Sequence, residues 1–397
     1  MRAAPPESRV AFLSERSDLF GGGQLSLCEL AGALLRTSVR PLVVVPAPGP
    51  LSEALQRAGV EWTSIALPAF ASGAGGGAIA ALVRLRRLVR RRSIDIVHSD
   101  SPRTALYAGC AARLSGRGHV FHVRASRPSS VFADRVLVGL SDRIIAVSRA
   151  AAARSAPVRD SRRTRVVPTG LPPIVFLPRP QARLRLDLPQ DAFICGVVGR
   201  VEEDKGRDEA LAAFTAVRRV VPGALLVFLG PVDPGDPWTH TVSLRATATG
   251  MSGAVRLAGA RPEGSSLLKA FDLLLHPSRH EALPRVLIEA QFASLPIVAA
   301  AVGGVPEIIE SACSGLLVPP RDPESLGRAA AALACDPDAR RRLAEAGLAS
   351  AREAFGIDRM VAEILAVYNE ILRTFPAARM SGSSRGGSRG HTREATP

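Results

Sequence analysis

Lysine is nearly missing from this sequence: of 51 basic residues only Lys205 and Lys269 are lysine, and the rest are arginine. A lysine kept against that background marks a place where a compact point charge is not interchangeable with the planar arginine fork. Aromatic residues make up only 4%, so the cores must be built from Leu, Val, Ile and Ala, and at 47% hydrophobic there is ample material. No apolar run approaches the roughly 20 residues of a membrane span. The N-terminus, Met-Arg-Ala-Ala-Pro-Pro-Glu, is polar and lacks the apolar region of a signal peptide. The five cysteines (28, 110, 195, 313 and 335) are odd in number and unpatterned, which suits reduced thiols in a cytoplasmic protein. Neither a Gly-x-Gly-x-x-Gly fingerprint nor a Gly-Lys-Ser/Thr loop is present, which argues against NAD and ATPase chemistry.

The net charge of +15 is unevenly spread. Residues 1–175 carry 25 Arg, no Lys and 11 acids; residues 176–376 carry 22 basic residues and 24 acids. The basic excess of the first half favours an anionic partner there, a membrane surface or a lipid phosphate ahead of nucleic acid. Codon bias toward Arg is the plainer explanation of the same numbers. The segment 78–92 sets apolar and basic residues at helical spacing. It suits either an anionic bilayer or a core-packing helix with a solvated basic face.

A strand at Val10–Ser14, a glycine loop at 21–23 and a helix from Gln24 to about Arg36 open the chain. Pro41–Val45 reads as a strand without polar alternation, as in a buried parallel sheet. Helices near 51–58 and 78–92 and strands near 94–97, 119–123 and 143–147 continue a βαβ rhythm. A Pro-rich stretch from Pro168 to Pro180 reads as a linker. The rhythm then restarts, with strands near 193–198, 224–229, 255–257, 271–275, 296–299 and 316–318. Residues 324–355 and 358–375 read as helical. The expectation is α/β, two Rossmann-like doubly wound domains over 1–175 and 176–357. A C-terminal helix at 358–376 crosses back to the first, and a tail at 377–397 has nothing to bury.

Within the second half, Glu281 follows an apolar strand and Glu289 lies in the helix after it. A strand end, a polar turn and a helix N-terminus make an anion site. Two carboxylates flanking it suit a ligand with both phosphates and hydroxyls, which describes a nucleotide sugar. Gly199-Arg200-Val-Glu-Glu-Asp-Lys205-Gly206 also ends a strand, and Arg200 with Lys205 suits a diphosphate. Lys269 reads as a surface residue. Asp336-Pro-Asp338 reads as a helix cap and not a metal site. His276 and His280 have i,i+4 spacing, but Pro277 argues against a helix there, and no metal site is expected.

These segments resemble the retaining GT-B glycosyltransferases of glycosyltransferase family four, with its glycosyl transferases group 1 domain. The resemblance rests on GRVEEDKG, VRLAGARPEG, FDLLLHPSRHEALPRVLIEAQFASLPIVAAAVGGVPEII and SGLLVPPRDPESL, including a Glu-x7-Glu spacing at Glu281 and Glu289. Weaker matches are FGGGQLSLCELAGAL, DIVHSDSP, LSDRIIAVSRA and TRVVPTG. It implies a GT-B architecture, two Rossmann-like domains facing a cleft. It implies that Glu289 binds ribose hydroxyls and Glu281 the donor sugar, and that Arg200 and Lys205 neutralise the diphosphate with no metal or other cofactor. Backbone N–H groups near Ala282, Leu283 and Arg285 would meet the phosphates, Arg261 would approach the base, and Gly22 and Gly23 would let a loop come close to donor phosphate or acceptor.

Two positions depart from the family pattern. Arg124 stands where many relatives carry His, with His122 two residues earlier on the same side of the strand. Either could reach the donor, and an Arg would act as a charge clamp in place of a proton shuttle. Thr169 replaces the Asn of the usual Pro-Asn-Gly turn. His98 at the end of its strand faces the cleft in this reading. The expected partners are a nucleotide-sugar donor, UDP-sugar favoured, a carbohydrate or lipid-linked acceptor, and an anionic membrane surface, with no nucleic acid. The expected process is cell-surface polysaccharide or glycolipid synthesis by a cytoplasmic, peripherally bound enzyme. Two alternatives stay open: a catalytically weak relative that binds nucleotide sugar as a partner, and a basic membrane- or nucleic-acid-binding protein.

Overall fold

The computed structural model describes residues 7–19, 21–69, 75–126, 130–233, 235–238, 242, 251, 253–310 and 312–375. The expected tail at 377–397 lies outside the described residues. Two all-parallel sheets carry the fold. The first contains β1 (Ser8–Leu13), β2 (Val39–Val45), β3 (Glu61–Ser64), β4 (Ile96–Ser99), β5 (Gly118–Val123), β6 (Arg143–Ala146) and β7 (Thr164–Val166), in the order 3-2-1-4-5-6-7. The second contains β8 (Ile194–Val198), β9 (Leu225–Leu229), β10 (Val255–Gly259), β11 (Leu273–His276), β12 (Ile297–Ala300) and β13 (Leu316–Val318), in the order 10-9-8-11-12-13.

The apolar runs explain the layering. Val43, Val44 and Val45 of β2 and Leu273, Leu274 and Leu275 of β11 are all fully buried. A strand covered by helices on both faces has no polar side to alternate with. The last helix, Ile357–Thr374, follows the second sheet but packs on the first. Its buried stripe of Ile357, Val361, Ile364, Val367, Tyr368 and Ile371 shares a core with Val10, Phe12, Leu30 and Val120. That spacing is one face of an amphipathic helix.

The expected helical stretch 324–355 is two helices, Pro323–Cys335 and Pro337–Ala354, separated at Asp336. The Asp336 carboxylate caps the second by accepting from Ala339 N–H at 2.8 Å. Among the elements without a sequence expectation above are β3, β7 and the helices Pro102–Arg113, Val131–Leu140 and Arg179–Arg185, the last of which begins within the stretch read as a linker. β3 is an edge strand of exposed and half-buried residues with no apolar run to announce it. All five cysteines are unpaired. Among the described residues no helix is long and apolar enough to cross a membrane.

Candidate active site

Open parallel sheets take ligands in the crevice beyond the carboxyl ends of their strands, where the strand order reverses. Here the reversals fall between β8 and β11 in the second sheet and between β1 and β4 in the first. Both hold clusters of charged side chains.

At the second reversal, Lys205 closes a short turn after β8 and Glu281 follows β11. Lys205 Nζ donates to Glu281 Oε1 at 2.6 Å. His276 Nε2, on the last residue of β11, lies 3.3 Å from the same oxygen but is not aligned for a hydrogen bond. Two glycines hold this loop in place. Gly206 and Gly303 both have left-handed backbones, at φ +73° and +50°. A methyl on Gly206 would sit 2.1 Å from the Pro277 carbonyl, and one on Gly303 only 1.7 Å from that of Glu281. Only glycine lets the backbones approach so closely.

The Glu281 side chain is only 11% exposed. Burial pushes its carboxyl up, but the neighbouring His276 ring and the Lys205 ammonium overcome this and pull it down to about 2. A depressed carboxyl adds stability above its unfolded value, 4.5 for Glu, and that contribution fades as pH falls toward the folded one. The stability difference between wild type and Glu281→Gln is therefore expected to be constant from pH 7 to about pH 5 and to shrink between about 4.5 and 2. Urea unfolding at fixed pH values checks this, and a difference that grows in acid would contradict it.

Glu289 lies on the helix Arg285–Phe292, one turn beyond Arg285, whose Nε donates to its Oε1 at 2.5 Å. The same guanidinium crosses to the first half of the chain. It donates from Nη2 to Glu29 Oε1 at 2.7 Å and from Nη1 to Glu29 Oε2. Burial raises the Glu289 carboxyl, and Arg285 only partly offsets it. Two more contacts join the halves: Ser148 Oγ donates to the Ala282 carbonyl at 2.6 Å, and the Glu307 carboxylate accepts from the N–H groups of Arg149 and Ala150.

At the first reversal a cavity of about 250 Å³ opens beyond β1, β4 and β5, lined by Glu15, Gly23, Gln24, Asp100, Ser101 and Arg124 among others. Arg124 Nε is buried without a hydrogen-bond partner among the described residues. Burial holds this guanidinium below its ordinary value, partly offset by Asp100 and reinforced by Arg285. Behind it runs a buried chain: Arg124 Nη2 to His122 Nδ1 at 3.4 Å, His122 Nδ1 to His98 Nε2 at 3.1 Å, and His98 Nδ1 to the Tyr368 hydroxyl at 2.7 Å. Arginine can only donate, so His122 Nδ1 accepts, His98 donates from Nε2, and Tyr368 O–H donates to His98 Nδ1. Both rings are neutral in that arrangement, and burial with the nearby Arg124 charge holds both well below the usual histidine range.

Comparison with known proteins agrees with this architecture. The glycosyltransferase family 4 pattern matches residues 20–173, and the glycosyl transferases group 1 pattern matches residues 178–350. The chain belongs to the GT-B glycosyltransferases of family 4. A D-inositol 3-phosphate glycosyltransferase of Segniliparus rotundus is 32% identical over 243 residues, 60% of this chain and 54% of that protein. Its namesake in Salinispora tropica is 32% identical over 265 residues, 62% of this chain and 55% of that one. The chain thus matches little more than half the length of these relatives. Anabaena HepE, solved in complex with UDP and glucose, superposes with a TM-score of 0.79 at 21% identity, over 91% of this chain and 99% of that one.

In this GT-B chain the residues singled out from sequence do not all converge. Lys205 and Glu281 meet; Glu289 and Arg285 meet one helix turn away. Gly22 and Gly23 open the helix Gly22–Leu34, where a methyl on Gly22 would touch Arg285 and one on Gly23 would touch Arg124 at 3.8 Å. Arg200 is exposed and pairs locally with Glu202 at 3.1 Å. Arg261 is exposed beyond β10. Ala282 and Leu283 pack against the first half, and their N–H groups find no partner among the described residues. The structure engages the side chain of Arg285, where the sequence suggested its N–H. Two expectations need correction. His98 does not face the cleft: it is 2% exposed, under Phe12 and Tyr368. His122, 1% exposed, does not line the cavity and stands behind Arg124. His98 is drawn into the core by its hydrogen bond to Tyr368 of the last helix, and His122 packs against His98. Among the described residues no three His, Cys, Asp or Glu side chains are placed to hold a metal.

Proposed function

We propose that the chain transfers a sugar from a nucleotide-diphosphate sugar, UDP-sugar favoured, to a carbohydrate or lipid-linked acceptor with retention of configuration. The observation that carries this reading is the Lys205–Glu281 pair at the strand reversal of the second sheet. A buried carboxylate held ionised can accept hydroxyls of the donor sugar. The ammonium beside it can stabilise the negative charge that grows on the departing diphosphate, without a metal. Arg200, at the mouth of the same crevice, adds a second cation. Glu289 would accept the ribose hydroxyls in exchange for Arg285, and Arg261 would meet the base. The free N–H groups of Ala282 and Leu283 and the N-terminus of the helix that begins at Gly22 and Gly23 would hold phosphate oxygens. Arg124 acts as a charge clamp. With no proton shuttle at that position, the departing phosphate itself takes the acceptor proton on the same face. HepE, with the same fold, is described in complex with UDP and glucose, which favours uridine here.

A membrane-side acceptor is favoured by the helix Gly75–Arg91. It buries Ala78, Ala81, Leu85 and Val89 and exposes Arg84, Arg86, Arg87, Arg90 and Arg91 beside Ile79 and Val83. Apolar side chains among arginines on one exposed face suit an anionic bilayer. Such a surface fits a place in cell-surface polysaccharide or glycolipid synthesis.

Thermal shift with UDP, GDP, ADP and their sugar conjugates tests the donor site. One nucleotide series is expected to stabilise the protein, by about 2.7 kcal/mol at 100 times its Kd. Lys205→Ala and Glu289→Ala should each lose that stabilisation. Absence of any shift with wild type would overturn the proposal and leave a binding protein that reuses the fold.

A further inference from the structure

The reversal of the first sheet is a second built crevice, which shares Gly23 and Arg124 with the proposed donor contacts and adds residues of its own. Glu15 follows β1, and Asp100 and Ser101 follow β4. Ser101 caps the helix Pro102–Arg113 and donates its hydroxyl to Glu15 Oε2 at 2.8 Å, so the Glu15 carboxylate is fixed at the cavity wall. Asp100 is partly open to the cavity, yet the surrounding protein pushes its carboxyl up to about 6, against Arg124 and with the help of Glu15. Two carboxylates thus line one cavity, Glu15 tied to the residue next to Asp100, with one guanidinium, Arg124, in the same wall. The other guanidinium in the wall, Arg154, is already committed. It grips Asp134 through two hydrogen bonds, at 2.5 and 3.2 Å.

We infer that this cavity binds the acceptor, and that Asp100 and Glu15 hold neighbouring hydroxyls of an uncharged sugar ring or polyol. Hydroxyl donors are what a pair of close carboxylates lacks: each O–H relieves the repulsion without adding charge, and such charge-assisted bonds are short and strong. The free charge of the wall is two carboxylates against one guanidinium, so the Asp100 end repels a phosphate. The curated relatives are named for D-inositol 3-phosphate, and this wall points instead to an acceptor that is neutral where it meets the protein. The volume of about 250 Å³ suits one sugar ring. The position is also right, because Gly23 and Arg124 line the cavity while Gly22 and Arg124 border Arg285 and the donor side.

This inference rests on the proposed transfer reaction, and the test separates the two. Saturation-transfer NMR on the full chain, with UDP present, would use methyl glucoside, methyl galactoside, methyl mannoside, myo-inositol and D-inositol 3-phosphate as probes. At least one neutral probe is expected to bind, and Asp100→Asn and Glu15→Gln are each expected to weaken it 10-fold or more while UDP binding stays unchanged. Three results would overturn the site: no neutral probe binds; both variants bind the probe as wild type does; or the phosphorylated probe binds best and gains affinity in Asp100→Asn. Failure of UDP itself to bind wild type would instead count against the donor reading.

Discussion

Replacing Lys205 by alanine is expected to lower kcat for sugar transfer by about 10²–10³-fold, the usual cost of removing one preorganised group that stabilises charge in the transition state. The expectation rests on three observations that converge on one atom. The lysine is one of two in the chain, its Nζ lies 2.6 Å from a carboxylate that is only 11% exposed, and both sit at the strand reversal where an α/β sheet binds ligands. Were Lys205 a solvated turn residue, the change would be worth a surface ion pair, at most about 1 kcal/mol, and kcat would hardly move. Lys205→Arg separates geometry from charge. It keeps the cation but spreads it over a planar fork, so it should recover only part of the rate. Melting temperatures of both variants guard against the trivial outcome, since removing the ammonium leaves Glu281 with His276 alone. Steady-state kinetics with the nucleotide sugar that gives the largest thermal shift would decide, and a loss below 5-fold with an intact fold would remove Lys205 from the chemistry.

How far the sequence reached can be argued from the same residues. Lys205, Glu281 and Glu289 were legible because each belongs to a local pattern, a strand followed by a polar turn or a helix start, and because the scarcity of lysine made one of them conspicuous. The parallel rhythm was legible for the same reason: runs such as Leu273–Leu275 have no polar face. What could not be read is set by pairs far apart in the chain. Arg285 and Glu29 are 256 residues apart, and no local spacing tells an arginine at a helix start that its partner sits on the first helix of the other half. Tyr368 and His98 are separated by 270 residues, and their contact turned a cleft-facing histidine into a core one. Asp100 and Glu15 escaped notice because a single acid after a strand looks like any turn residue until the topology brings two such strands side by side. The helix Pro102–Arg113 is different. Ser101 and Thr104 form its capping box, a signal the sequence did contain.

The largest effect on stability is expected at Asp134, in the wall behind the proposed acceptor cavity. Asp134 and Arg154 form a two-pronged ion pair with side chains 0% and 1% exposed. Removing one partner strands the other charge in a dry interior, which costs about 3–5 kcal/mol, whereas replacing both with apolar residues of similar volume is often neutral. Asp134→Ala should therefore lower Tm by roughly 6–20 °C for a domain of this size, and Asp134→Leu with Arg154→Met should restore most of it. A surface pair would show neither the loss nor the recovery, so calorimetry of the three proteins distinguishes the cases. The binding consequence runs the other way. In Asp134→Ala the Arg154 guanidinium, which already lines the cavity, loses its counter-charge, and two uncompensated guanidiniums then stand in a wall with two carboxylates. D-inositol 3-phosphate should gain affinity relative to myo-inositol in that variant, while the apolar double variant, with no released charge, should keep the preference of wild type. If discrimination between the two probes is the same in all three proteins, the charge of this wall does not govern the choice of acceptor.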